Sequence, residues 1–120
     1  MTEKRTMAKT NYHGPNTYDG YDKYLGRKNR RKLSHNVYVV RDSEDITIVF
    51  HWTAILRYSP DGWVVLNSGG YQTMTTKVNL NQYSDCSVWQ DKHTWYASFG
   101  DSGKMEFIDG MKFKNVDSLC

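Results

Sequence analysis

From Asn36 onward the apolar positions recur every second residue. Val37 and Val39 alternate with Tyr38 and Val40, and the polar cluster Asp42-Ser43-Glu44-Asp45 then reads as a turn. Beyond it Ile46, Ile48 and Phe50 alternate with Thr47, Val49 and His51. β-Branched and aromatic residues at period two, bounded by polar turns, predict strands with one face buried. The alternation places Phe50 in the core and His51 on the Thr47–Val49 face. Ala54–Tyr58 predicts a third strand and Trp63–Leu66 a fourth. Pro60-Asp61-Gly62 turns the chain between them, because proline presets φ and glycine accepts a positive one. Four strands with short connections predict an antiparallel meander.

The period breaks at Ser68-Gly69-Gly70. Thr75 and Thr76 then offer N-caps for a short helix near 75–83, with Thr76, Leu80 and Tyr83 on one face. Strand character returns with Val88-Trp89 and, after the turn Asp91-Lys92-His93, with Thr94–Phe99. Lys104–Ile108 and Met111–Val116 complete the set. Upstream, residues 1–20 are polar and turn-rich and predict a flexible N-terminal arm, followed by one helical turn over 21–26 stopped by Gly26. The expected fold is mainly β with one short helix: an antiparallel curled sheet, small barrel or sandwich of about seven strands. A chain of 120 residues holds one domain, placed at 21–120.

Composition changes this picture little. The apolar fraction of 38% is modest, but four Trp and nine Tyr supply large buried areas per residue. Cys86 and Cys120 are isolated from each other and from any metal-ligand spacing, and are expected to be reduced thiols. No metal and no cofactor is expected. No run reaches the ~18–20 apolar residues of a membrane span, and the N-terminus lacks the apolar core of a signal peptide. No membrane partner and a cytoplasmic location are therefore expected.

Charge is more informative. The net +3 is small, but the basic excess lies in the first third of the chain. Arg27, Lys28, Arg30, Arg31 and Lys32 place five cations in six residues. Lysine and arginine neutralise phosphates and release counterions, which drives nucleic-acid binding. Tyr18, Tyr21 and Tyr24, just upstream, supply rings suited to stacking on bases. The same run also suits a protein with an acidic surface, or is simply a solvated loop.

A second candidate is an anion site built from Ser68, Gly69, Gly70, Thr75, Thr76 and Lys77. Glycines permit close approach of a phosphate, and a helix N-terminus presents free N–H groups. The phosphate-loop spacing is absent, so an ordinary capped corner competes with this reading. His51 is a weak general-base candidate, paired at most with Lys77, since no triad or ligand spacing surrounds it or His13, His35 and His93. The acidic cluster Asp42, Glu44, Asp45 lacks the pattern of a calcium loop and reads as a charged turn. Trp52, Trp63, Trp89 and Trp95 sit in strand patterns and read as core residues, with some partly exposed because so small a protein cannot bury every ring; an exposed group would mark an interface.

Asn36-Val37-Tyr38, His51-Trp52-Thr53, Pro60-Asp61-Gly62 and the stretch from Asn67 through Gly69-Gly70 to Lys77 resemble a family of small proteins found in tailed-phage genomes, over roughly residues 25–85. The resemblance implies a phage source, an infected bacterial cytoplasm as the setting, and an accessory role. It carries over no catalytic residue. The leading expectation is a non-enzymatic accessory protein contacting nucleic acid through Arg27–Lys32. The alternatives are an inhibitor or modulator of a host protein machine, including an antagonist of defence; a nucleotide-sequestering protein using the Gly-Gly corner; and, last, a small phosphodiester-acting enzyme.

Overall fold

The computed structural model describes residues 15–100 and 102–114. The chain runs through a helix α1 (Tyr18–Leu25), five strands β1 (Arg30–Ser34), β2 (Val37–Asp42), β3 (Asp45–Phe50), β4 (Thr53–Tyr58) and β5 (Trp63–Leu66), and a helix α2 (Met74–Gln82). Strands β6 (Cys86–Asp91), β7 (Thr94–Phe99), β8 (Met105–Glu106) and β9 (Lys112–Lys114) follow. The antiparallel β-rich fold and its meander are as expected. Among the described residues there are nine strands where about seven were expected; the unforeseen one is β1, whose run of cations hides its strand character.

The strands form two antiparallel sheets. The larger has the order β1-β2-β3-β4-β5-β9 and the smaller β6-β7-β8. Strands β1 and β9 lie at opposite edges of the larger sheet, so it is open and not a barrel. Period-two burial holds along β2, where Val37 and Val39 are buried and Tyr38 and Val40 only partly so. The smaller sheet contributes Val88, Trp95 and Ala97 to the same core, and the helices contribute Tyr21, Leu25, Leu80 and Tyr83.

Both helices differ from expectation in their starts. Thr17 caps α1, its side chain accepting from Gly20 N, and the helix runs two turns to Gly26. Residues 17–20 thus belong to the helix and its cap, while residues 1–14 of the expected arm lie outside the described residues. Helix α2 is capped by Thr73, not by Thr75 or Thr76. Thr73 Oγ1 accepts from Thr76 N at 3.2 Å, so the cap falls on the first of three available threonines. The expected buried face of Thr76, Leu80 and Tyr83 is present.

Beneath α1 a polar knot joins three elements. The Tyr83 carbonyl oxygen accepts from the Tyr58 hydroxyl at 2.5 Å and from the Tyr21 hydroxyl at 2.9 Å. The Tyr21 hydroxyl also lies 3.1 Å from Asn16 Oδ1 and shares its proton between the two acceptors. The Tyr21 and Tyr58 ring centroids are 5.2 Å apart. These hydroxyls are buried and bonded, as buried polar groups must be. Burial pushes the Tyr58 hydroxyl pKa well above the ordinary 10.0. It also pushes the neighbouring Cys86 thiol up to about 12, despite an opposing hydrogen bond to Ser84. Cys86 is a free, buried thiol, and Cys120 lies outside the described residues.

Candidate functional site

A cleft of about 480 Å³ opens between the β3–β4 turn and the loop leading into α2. That turn has two residues, His51 and Trp52, since Phe50 pairs directly with Thr53. His51 is therefore not in the strand, as its alternation suggested. It takes φ +56°, a left-handed conformation uncommon for a side-chain-bearing residue. Its N–H bonds to the Asn36 carbonyl at 2.9 Å, tying this turn to the β1–β2 turn. Trp52 at the tip is 96% exposed. Trp95 is buried, Trp63 and Trp89 are partly covered, and Trp52 stands fully open, beyond the partial exposure expected of some of these rings.

A bulge shapes the floor. Ile48 pairs with Leu56 but Val49 pairs with Ala54, which leaves Ile55 as an extra residue in β4. Bulges re-aim side chains; here Ile55 and Leu56 are both buried, and Ile55 lines the cleft. Phe50 also lines it and is only partly buried, with its ring 4.4 Å from that of His51. Phe50 therefore serves as a wall of the opening and not as the interior residue its alternation suggested. The opposite wall is the loop from Ser68 to Thr76, where Tyr71 is 68% exposed.

That loop is held from behind. Asp109 Oδ1 accepts from Ser68 N at 2.7 Å and from Ser68 Oγ at 2.8 Å. Asn67 Oδ1 accepts from Gly69 N, and Ser68 Oγ accepts from Gly70 N at 3.1 Å. The three backbone donors of the Ser68-Gly69-Gly70 corner are thus bonded internally. Gly69, at φ +66°, packs so closely on the hairpin that a Cβ would lie 2.7 Å from Thr53 Cγ2. Ser68, Thr75 and Thr76 border the cleft, but Lys77 does not. Its Nζ donates to Gln90 Oε1 at 3.2 Å and sits 5.4 Å from the Trp95 ring centroid. The six residues of the expected anion site are therefore not brought to one point, and His51 and Lys77 are not neighbours in the cleft.

The basic run occupies the sheet edge. Arg27 and Lys28 follow α1, while Arg30, Arg31 and Lys32 lie in β1; all five are exposed. Alternation divides the strand's cations between its faces. Arg30 lies over the Tyr38 ring at 3.9 Å, on the outer face. Arg31 turns to the helix side, where Nη1 donates to the Tyr24 carbonyl at 2.8 Å and the guanidinium covers the Tyr24 ring at 4.3 Å. The Tyr24 hydroxyl donates to the Lys32 carbonyl at 2.9 Å. Tyr21 is fully buried in the knot and is out of reach of any base. Tyr18 donates to the Glu44 carbonyl at 3.1 Å. The three tyrosines thus brace α1 instead of forming an open stacking platform.

Sequence reasoning missed two residues that position this surface. Arg41 gathers the C-terminal end of α1, with Nη1 2.6 Å from Asp22 Oδ1, Nη2 donating to the Gly26 carbonyl at 2.7 Å and Nε to the Lys28 carbonyl at 3.1 Å. Asp109 anchors the far wall of the cleft; its only signal was the turn dipeptide Asp109-Gly110. The acidic turn is as expected: Arg57 bridges Asp42 at 2.6 Å and Asp45 at 3.0 Å. His35 and His93 are exposed turn residues, and His13 lies outside the described residues.

A shallow groove of about 170 Å³ on the outer sheet face joins the two regions. It begins at Arg30, passes Tyr38 and Val49, and ends at His51 and Trp52, the two residues it shares with the cleft. Among the described residues no helix is long and apolar enough to cross a membrane.

No curated protein and no solved structure matches the chain. A family does: the sequence model described as Kyanoviridae Gp96 protein matches residues 21–114, which takes in β1, the groove, the cleft and both sheets. The chain belongs to this phage protein family.

Proposed function

We propose that the protein is a non-enzymatic phage accessory factor that binds single-stranded nucleic acid across the outer face of its larger sheet, in the cytoplasm of the infected host. One observation carries the reading. Exposed cations on an edge strand lead, through a continuous groove, to an exposed tryptophan. Proteins that bind single strands combine a positive track for the backbone with aromatic rings for the bases. Here Arg30 and Lys32 share the outer face by strand alternation, and Arg27 and Lys28 extend the positive charge along the edge. The test is fluorescence anisotropy with a labelled oligonucleotide across a salt series. Affinity is expected to fall with a log–log slope of roughly −0.7 per phosphate contact. The Arg30→Ala/Lys32→Ala double variant is expected to weaken binding and flatten that slope. Absence of binding at low salt overturns the reading.

A second reading has its own support. Trp52 and Tyr71 are exposed aromatic side chains bordering one cleft, and Met74, 71% exposed, lies between Thr73 and Thr75 of its lining. Aromatic residues and methionine are enriched at protein interfaces. A host protein with an acidic surface would meet both this patch and the basic edge. Retention of one host protein from a nuclease-treated bacterial lysate at high salt, lost in Trp52→Ala, would favour it.

A further inference from the structure

We propose that the cleft beside Trp52 is a pocket for a single unstacked nucleobase, stacked on the indole and bordered by Tyr71. This deepens the nucleic-acid reading and rests on it. Trp52 stands on a two-residue turn with no ring contact among the described residues, and its exposure is unrelieved by packing. A left-handed, hydrogen-bonded His51 holds it there. Ser43 and Lys92 take the same left-handed conformation in the two-residue turns after β2 and β6, so the geometry of His51 is that of a tight hairpin, which projects Trp52 from a rigid tip. The cleft volume of about 480 Å³ falls within the range of small-molecule pockets.

The chemistry of the walls suits a base more than an aliphatic side chain. Phe50 and Ile55 supply an apolar floor. His51, Thr53 and Thr75 bring an imidazole and two hydroxyls that make no hydrogen bond among the described residues. Bases carry both a π-face for stacking and donor and acceptor edges for such groups. The groove supplies the charge complement: it runs from Trp52 to Arg30, so a strand whose base enters the cleft can lay its phosphates toward the cations of β1. An acidic peptide would use the same cations, but its carboxylate side chains offer no aromatic face to the indole.

The experiment compares a thymidine oligonucleotide with an abasic oligomer of the same length, label and charge. Base–aromatic stacking is expected to make the parent protein hold the thymidine strand roughly 5- to 150-fold more tightly. Trp52→Ala is expected to abolish that preference while leaving the salt slope unchanged. Arg30→Ala/Lys32→Ala is expected to weaken both oligomers and keep the preference. Equal binding of the two oligomers by the parent, or a preference that survives Trp52→Ala, overturns the pocket while the proposed function stands. If neither oligomer binds, the proposed function falls and the pocket is read by itself. Thymidine 5′-monophosphate and N-acetyltryptophanamide are then each titrated against the Trp52 indole N–H signal in NMR. A shift with the nucleotide supports the pocket. No shift, or a shift with the amide alone, overturns it, and the latter assigns the cleft to a protein side chain.

Discussion

Two sets of aromatic side chains divide the molecule. Beneath α1, Tyr21, Tyr58 and Tyr83 are buried, and the hydroxyls of Tyr21 and Tyr58 converge on a single carbonyl. Around the cleft, Trp52 and Tyr71 are open to solvent. The first set follows the ordinary logic of a core: large area removed from water and polar ends satisfied. The second leaves its area in water, Trp52 at the tip of a two-residue turn and Tyr71 on the loop that faces it. The difference separates side chains that hold the fold from side chains that the fold leaves open to solvent.

The largest test of that division is Tyr58→Ala. Removing a fully buried ring is expected to cost about 3–5 kcal/mol, and the two-sheet core is expected to lose cooperative melting by calorimetry. If stability hardly changes, the knot is not structural. Alkaline pH strikes the same region. Below pH 9.0, the ordinary thiol value, folded and unfolded chains both keep the Cys86 proton, so this group leaves stability flat. Above it the unfolded thiol ionises first, and stability falls until the folded thiol also ionises near 12. Two pH units into that window the loss is roughly 3 kcal/mol, and Cys86→Ala is expected to flatten the decline in a melting series. Tyr58 adds a loss of the same sign above the ordinary tyrosine value of 10.0.

Gly69→Ala sharpens the comparison from the other side. The new methyl meets Thr53 at a positive φ, so about 1–3 kcal/mol of destabilisation is expected, together with altered NMR signals for Thr53 and Tyr71. Unchanged stability would mean that the two walls can separate freely. The smallest effect is expected at the most conspicuous residue. Trp52→Ala should change stability by no more than ~0.5 kcal/mol, as exposed sites do. A large loss on chemical denaturation would place Trp52 with the structural set and remove the motive for the pocket.

The sequence determined the inward face of β2 and most of that of β3, and the turns at 42–45 and 60–62. Val37, Val39, Ile46 and Ile48 are buried as their spacing demands, because a strand's side chains alternate strictly and water sorts them. It also located the five cations and the glycine corner as residues, since charge and backbone permissiveness are local properties. It misplaced Phe50 and His51, because the two-residue turn that ends β3 is set by pairing with β4 and by the Asn36 carbonyl, not by periodicity. It gave no sign that Tyr21 would be sealed in a knot while Trp52 stood in solvent; both are aromatics in amphipathic patterns. Only the tertiary structure decided that the Gly-Gly corner spends its donors on Asn67 and Ser68, that Lys77 turns toward Gln90, and that Arg30 and Trp52 share one groove. These are contacts between segments far apart in the chain, and a local pattern carries no information about which distant groups fold up beside it.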